Sequence, residues 1–352
     1  MKEPTLTINL KSLCRNWQIL NKLSSNLCGA AVKANAYGLG IQKVSESLYK
    51  TGCRHFFVAY LSEALKVRTV APKAEIYLLN GYHAGDHENY IKHGITPILS
   101  SIEDLKNFVS KPQTTFALQF DTGMNRLGIS WKKADIASKI CKKAGKTPTL
   151  ILSHFCSSEE PSNPKNTEQL NLFKEITPYF PHSLHSLSNS SGIFLGAENH
   201  FNLTRPGIAL YGGNPTPNTQ NPMQQVVSLT ANIIQIQEVK KGESVGYNST
   251  WTAKKDSLIA TLSYGYADGL LRQKGQTRYV YIKGQKAPLV GNISMDLTCV
   301  DITDITEKVS TNDMAEIIGS HQTLEDHANN SGTISYEILT SLEQRLIQKY
   351  IE

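Results

Sequence analysis

Gly29-Ala30-Ala31-Val32-Lys33-Ala34-Asn35-Ala36-Tyr37-Gly38-Leu39-Gly40 is the stretch on which the reading of this chain turns. Small and branched apolar residues run into Lys33, and Gly38 and Gly40 then break the pattern, as expected of a buried strand that delivers one lysine to a loop. Most lysines at a strand end simply reach into water. Here the apolar flanks argue for another use. An ammonium at the end of such a strand is costly unless paired or neutral, and a lysine whose pKa is lowered by its surroundings can form a Schiff base with an aldehyde. Tyr37 follows at a spacing that allows its hydroxyl to lie beside the same site.

Working outward, residues 5–10 alternate like a strand, and Ser12 caps a helix with Leu13, Trp17 and Leu20 on one face. Apolar runs at 55–59, 75–79, 95–99, 115–120, 150–154, 184–187 and 202–205 alternate with helical stretches. With the Lys33 strand they make eight, which predicts an α/β fold with an N-terminal (α/β)8 barrel, an architecture that carries its chemistry at the C-terminal ends of the strands. Lys33, Asp121 with Arg126, His154, Asn189 with Ser190, and Arg205 all fall at or just past such ends. After Tyr211 the chain turns rich in Gly and Pro. From Val226 onward strands dominate, at 226–239, 258–262, 278–282, 287–290, 297–301 and 315–318, with helices expected at 323–329 and 335–349. The expected division is a barrel over residues 1–222 and a mainly β-strand C-terminal domain over 223–352.

A chain of 352 residues suits one large domain plus a smaller one. Its 40% hydrophobic and 19% charged residues are ordinary soluble values that exclude disordered and fibrous classes. The formal charge of +6 is spread out. Its densest basic stretch, residues 132–146, carries Ile136, Ala137, Ile140, Cys141 and Ala144 at helical spacing, so the lysines read as a wet helix face and no nucleic-acid partner is expected. The six cysteines form no close pair of metal-ligand or redox spacing, so no metal is expected and a reducing cytoplasm fits best. No leader or membrane span is expected either.

Val32-Lys33-Ala34-Asn35-Ala36-Tyr37-Gly38-Leu39-Gly40 resembles the lysine motif of the alanine racemase family, in which the lysine holds pyridoxal 5'-phosphate and the tyrosine contacts the phosphate. Arg205-Pro206-Gly207-Ile208-Ala209-Leu210-Tyr211-Gly212 is by itself a turn whose glycine lets amides approach a phosphate. The resemblance implies more: Arg205 facing the pyridine nitrogen, and the Gly207 and Ile208 amides binding phosphate with Ser190 and Asn189. An arginine there keeps the ring nitrogen unprotonated and the ring a weaker electron sink, which suits racemisation. His154, in Ser153-His154-Phe155, reads alone as structural; by resemblance it packs on the ring and bonds Arg205. Arg126, in Asp121-Thr122-Gly123-Met124-Asn125-Arg126-Leu127-Gly128, would bind the substrate carboxylate.

Two further matches lie in the β-rich part. Tyr247, in Val245-Gly246-Tyr247-Asn248-Ser249-Thr250-Trp251, reads alone as a half-buried strand tyrosine. By resemblance it is a second catalytic base, and Ser294-Met295-Asp296 closes the site, with Tyr266 in the surrounding shell. In the family these residues reach the barrel of the other subunit, which implies a homodimer with composite sites. The chain also departs from the family. Gln119 stands where some members carry a carbamylated lysine that props the arginine matching Arg126. Asn292 replaces an arginine and Glu159 an aspartate of the substrate channel, and Gln344 stands where a late tyrosine is expected.

The resemblance runs from Leu6 to about Arg345 and implies an enzyme that interconverts L- and D-alanine by two-base proton transfer, supplying D-alanine for peptidoglycan. The rival expectations are a racemase of broader range, including serine, and a non-catalytic pyridoxal-phosphate carrier on a lone barrel. A decarboxylase of the barrel class lacks its glycine-rich phosphate loop here, and Arg205 would oppose its chemistry.

Overall fold

The computed structural model describes residues 3–112, 115–272, 278–342 and 345–352, so the expectation at Gln344 lies outside the described residues. Two compact units divide the chain. One holds Leu13–Leu210 with Asn214–Met223, and the other holds the N-terminal residues up to Ser12, Tyr211–Gly213 and Gln224–Glu352.

The first unit is the expected eight-stranded parallel barrel. Its strands are Leu27–Cys28 continuing as Ala30–Ala31, His55–Val58, Glu75–Leu78, Ile95–Leu99, Ala117–Asp121, Leu150–Leu152, Leu184–Ser186 and Leu203–Thr204. Neighbours pair in sequence order, for instance Ala30 with Phe56, His55 with Glu75 and Leu184 with Leu150. Backbone bonds on both sides of the last strand close the ring: Leu203 pairs with Leu27, and the Asn202 N–H donates to the His185 carbonyl at 3.0 Å. These strands are apolar on both faces because both are covered. Ala31, Phe57, Tyr77, Ile98, Ala117, Leu150, Leu152 and Leu203 pack together as one core cluster. Phe108, Phe116, Phe120, Phe173 and Ile176 belong to a second cluster, which joins strands to helices. The lysine-rich helix Ala134–Lys143 buries Ala134, Ala137, Ser138 and Cys141.

The second unit is a closed antiparallel barrel. Its circuit runs through Val227–Val239, Ser257–Leu262, Thr298–Asp301, Gln285–Val290, Tyr279–Ile282 and Met314–Ile318. Val227–Val239 serves two neighbours, Met314–Ile318 along its first half and Ser257–Leu262 along its second, and an irregularity between Ile233 and Gln235 bends it between them. Thr5–Asn9 joins this sheet between Val227–Val239 and Ile347–Ile351, and its alternation of buried and half-buried residues is that of a strand covered on one face.

Two sequence expectations are corrected. Residues 335–349 form a short helix, Ser335–Ser341, and then a strand, Ile347–Ile351, rather than one helix. Parallel pairing with Thr5–Asn9 decides the state of that segment, and the leucines that suggested a helix face, Leu342 and Leu346, are buried outside either element. The strand expected to end at Lys33 ends at Ala31, and Lys33 opens a turn.

Candidate active site

The first barrel strand is held at its end by the Ala31 N–H to the Pro206 carbonyl and the Val32 N–H to the Phe57 carbonyl, both at 2.9 Å. Lys33 comes next, and the following four residues, Ala34, Asn35, Ala36 and Tyr37, take φ values of 54, 54, 55 and 55°. That is a left-handed turn built without glycine. Internal bonds hold it in part, with the Ala36 N–H donating to the Val32 carbonyl at 2.9 Å and the Gly38 N–H to the Ala34 carbonyl at 2.8 Å. The Asn35 side-chain oxygen accepts the Ile41 N–H at 3.0 Å and so starts the helix Ile41–Thr51.

The turn carries Tyr37 across to the Arg205–Gly207 segment. A Cβ on Gly207 would lie 2.3 Å from the Tyr37 hydroxyl, so only glycine lets the phenol lie against that backbone. Ser190 meets them there: its Oγ accepts the Gly207 N–H at 2.8 Å and the Ala209 N–H at 3.3 Å. The hydroxyl keeps its own hydrogen for donation, while Ile208 opens a short helical turn, Ile208–Tyr211. The Asn189 side-chain oxygen accepts from the Gly192 N–H at 2.9 Å and the Ser158 hydroxyl at 2.8 Å, so it shapes the loop beside Ser190 and joins it to the segment carrying the exposed Glu159.

Arg205 is the most unusual group. Only 6% exposed, its guanidinium donates to the Ser186 hydroxyl, to the Ser153 carbonyl at 2.6 Å and to His154 Nδ1 at 3.3 Å. Among the described residues no carboxylate pairs with it. Burial brings its pKa down to about 9, which still leaves a cation at neutral pH. His154 must then be neutral to accept. Burial, followed by the charges of Arg205, Arg126 and Lys33, pushes its pKa down to about 3. Its carbonyl accepts from the buried Gln169 amide at 2.9 Å, which fixes the strand end.

Lys33 is open to solvent at the mouth, yet the protein packed around it, and then the Arg126 charge, lower its pKa, while the Glu63 carboxylate acts in the opposite direction. Among the described residues no hydrogen bond or ion pair engages its amine. Arg126 sits on a loop anchored by Asp121, whose Oδ1 accepts the Gly123 and Asn125 N–H groups at 2.8 and 3.1 Å. Gln119, expected to prop the Arg126 side chain, instead donates to the Leu127 carbonyl at 2.9 Å. It is buried below the loop, so its short amide meets the backbone first. Lys33, Arg126 and Arg205 together make this end of the barrel cationic, a field that suits an anionic ligand carrying phosphate and carboxylate. Ser153 and Ser186, which orient the guanidinium, gave no sequence signal as Arg205 partners, since serines at buried strand ends are ordinary.

In the second unit Tyr247 is 68% exposed, and not half-buried as its sequence context alone suggested. Gly246 at φ +80° turns it outward, and Asn292 donates to its carbonyl at 2.9 Å. Met295 and Tyr266 are 54% and 42% exposed, and their loops are zipped by the Tyr266 N–H to the Ser294 carbonyl at 3.1 Å and the Ala267 N–H to the Met295 carbonyl at 2.9 Å. Asp296 pairs with Arg345 at 2.8 Å, which also reaches the buried Asp268 at 3.0 Å. No group of three potential metal ligands occurs among the described residues, and no helix among them is long and apolar enough to cross a membrane.

Comparison with known proteins gives a consistent result along the whole chain. The model for the alanine racemase N-terminal domain matches residues 8–215, and that for the alanine racemase C-terminal domain matches 226–350. An alanine racemase of Methylobacterium nodulans is 42% identical over 99% of this chain and 96% of its own length. A catabolic alanine racemase of Rhizobium johnstonii is 40% identical over 98% of this chain and 94% of its own. Among solved structures, alanine racemase from Bartonella henselae with covalently bound pyridoxal phosphate superposes over all of both chains with a TM-score of 0.94 and 38% identity. The likeness covers both units and their fold, and the chain belongs to the alanine racemase family.

Proposed function

We infer that this chain is an alanine racemase, an isomerase that interconverts L-alanine and D-alanine with pyridoxal 5'-phosphate as cofactor. The observation that carries the reading is a Lys33 amine with no hydrogen bond or ion pair, and a buried Arg205 cation with only neutral partners, both among the described residues. Such a pair fits the cofactor: an amine for the aldehyde, a fixed cation for a ring nitrogen that must stay unprotonated, and a glycine cradle at Gly207 with Ser190 and Tyr37 for the phosphate. Bound there, the cofactor supplies covalent attachment of the substrate amine and a modest electron sink for its α-carbon.

The chain's own residues supply the rest. Arg126 holds the substrate carboxylate, and with it the orientation of the α-carbon. His154, kept neutral and accepting from Arg205, would bring no further positive charge to a cofactor held there. Lys33 would exchange a proton at its Nζ on one face of the α-carbon. Tyr247 exchanges one at its hydroxyl on the opposite face, taking the proton of L-alanine.

Tyr247, Tyr266 and Met295, three large side chains exposed at one region of the second unit, support a homodimer in which each C-terminal barrel completes the partner's site. We assign residues 1–222, apart from the N-terminal segment up to Ser12 that belongs with the second unit, to the cofactor-binding part and 223–352 to the part that reaches the partner. Six cysteines, none in a disulfide among the described residues, accord with a reducing cytoplasm, where D-alanine would serve peptidoglycan synthesis. Incubating the purified protein with L-alanine should yield D-alanine, and the Lys33→Ala variant should yield none; serine converted in preference to alanine would favour the broader racemase. A carrier on a lone barrel is set aside, because the family match continues through residues 226–350.

A further inference from the structure

A left-handed turn of L residues brings each Cβ too close to the following carbonyl oxygen, so four in succession at Ala34–Tyr37 need support from outside the turn. One side chain reaches in from another element. Glu63 Oε1 accepts the Asn35 N–H at 3.1 Å, while Oε2 accepts the Ala59 N–H at 2.8 Å and the Tyr60 N–H at 3.2 Å. A glutamate in the first turn of the helix Leu61–Val70 needs only the Tyr60 contact to cap it. Here the second oxygen is turned away from its own helix, and the carboxylate ties the turn after the first barrel strand to the end of the neighbouring strand His55–Val58. Three N–H donors on one carboxylate fix its position.

We propose that Glu63 is a positioning residue for Lys33: its carboxylate clamps the left-handed turn so that Lys33 and Tyr37 are presented together, and it sets a fixed negative charge beside the lysine. The proposal rests on the reading of Lys33 as the lysine that carries the cofactor, and it names the group that prepares it. The charge matters because Lys33 otherwise faces cations. Arg126 opposes protonation of the amine, neutral His154 offers no anion, and Glu63 is the carboxylate that acts on it.

The test is attachment of pyridoxal phosphate to the full-length chain freed of cofactor, followed by absorbance between about pH 6 and 10. Only the free amine attacks the aldehyde, so the rate rises through the titration of Lys33 and then levels off. Glu63→Gln removes the charge at nearly constant size. Its midpoint should move to lower pH by about half a unit or more, and its plateau rate should fall about threefold to tenfold, since the amide cannot accept as the carboxylate does. Glu63→Asp keeps the charge but shortens the reach, so the midpoint should stay while the plateau falls. A residue that merely caps its helix would lower thermal stability in both variants and leave the midpoint in place. A wild-type midpoint and plateau in Glu63→Gln overturn the proposal. If that variant does not fold, a wild-type plateau in Glu63→Asp overturns it, and a lowered plateau at the wild-type midpoint supports it. Wild-type protein that takes up no pyridoxal phosphate would instead remove the reading of Lys33 itself.

Discussion

At position 154 the imidazole is held neutral in the folded chain down to about pH 3, whereas an unperturbed histidine protonates near 6.5. The unfolded chain therefore binds a proton in that interval that the folded chain does not, so stability is full above about pH 6.5 and is lost as the pH falls, by up to about 1.4 kcal/mol per unit. His327, lowered to about 4 by burial and then by Arg278, acts with the same sign, so the wild type must be compared with a variant. Urea midpoints at pH 7 and pH 5 should fall further in the wild type than in His154→Asn; equal falls would show that His154 does not titrate as described. Gln119 gives a second prediction at this scale. A glutamine amide cannot take up carbon dioxide as an amine does, so activity should not respond to bicarbonate. Gln119→Ala, which frees the Leu127 carbonyl, should raise KM for alanine about threefold or more with a smaller change in kcat, as expected when a carboxylate-binding arginine loses its support. The placement of Lys33, Arg126, His154 and Arg205 at or just past strand ends was legible in the sequence, whereas the roles of the last three came only from the motif resemblance. Glu63 was not legible. Its link to Asn35 spans 28 positions of sequence, and nothing in a run such as Ser62-Glu63-Ala64 separates a helix cap from a clamp.

At the scale of elements, the loop that carries Arg126 depends on Gly128. It sits at φ +135°, and a Cβ there would lie 2.7 Å from the Asp121 backbone nitrogen and 2.8 Å from the Phe120 carbonyl carbon. Backbone cannot step aside as a flexible side chain can, so Gly128→Ala should cost about 1–3 kcal/mol in a urea titration and raise KM for alanine as Arg126 is displaced. An unchanged KM would mean that the loop does not place the substrate carboxylate. The barrel strands were readable because parallel strands covered on both faces are near-continuous apolar runs, as Leu150–Leu152 is. The left-handed turn after Lys33 was not readable, since alanine has no preference for that conformation and only tertiary bonds impose it. The last strand, Ile347–Ile351, was hidden for a related reason. Short apolar spacing fits helix and strand alike, and its partner Thr5–Asn9 lies at the other end of the chain.

For the whole molecule, the proposed composite sites make Lys33 and Tyr247 contributions of different subunits. Lys33→Ala and Tyr247→Phe proteins, each inactive as racemase alone, should regain activity on subunit exchange, because a mixed dimer holds one site with both residues intact. Complete exchange of equal amounts should give about a quarter of wild-type activity. No recovery under proven exchange would place both residues in one subunit. The two units themselves were legible from the change of periodicity near Tyr211. The pairing of the N-terminal strand with the C-terminal sheet was not, because nothing local in residues 5–9 names a partner more than two hundred positions away.

The central claim is that Lys33 and Tyr247 are two bases on opposite faces of one α-carbon. A single side chain fixed on one face exchanges the hydrogen of one enantiomer well and of the other poorly. The direct measurement is exchange of the α-hydrogen of L- and D-alanine in deuterated water, catalysed by the Tyr247→Phe protein reconstituted with pyridoxal phosphate. The account predicts that exchange on D-alanine persists through Lys33, while exchange on L-alanine and net racemisation are lost. Equal loss of both exchanges, or racemisation at the wild-type rate, would contradict it.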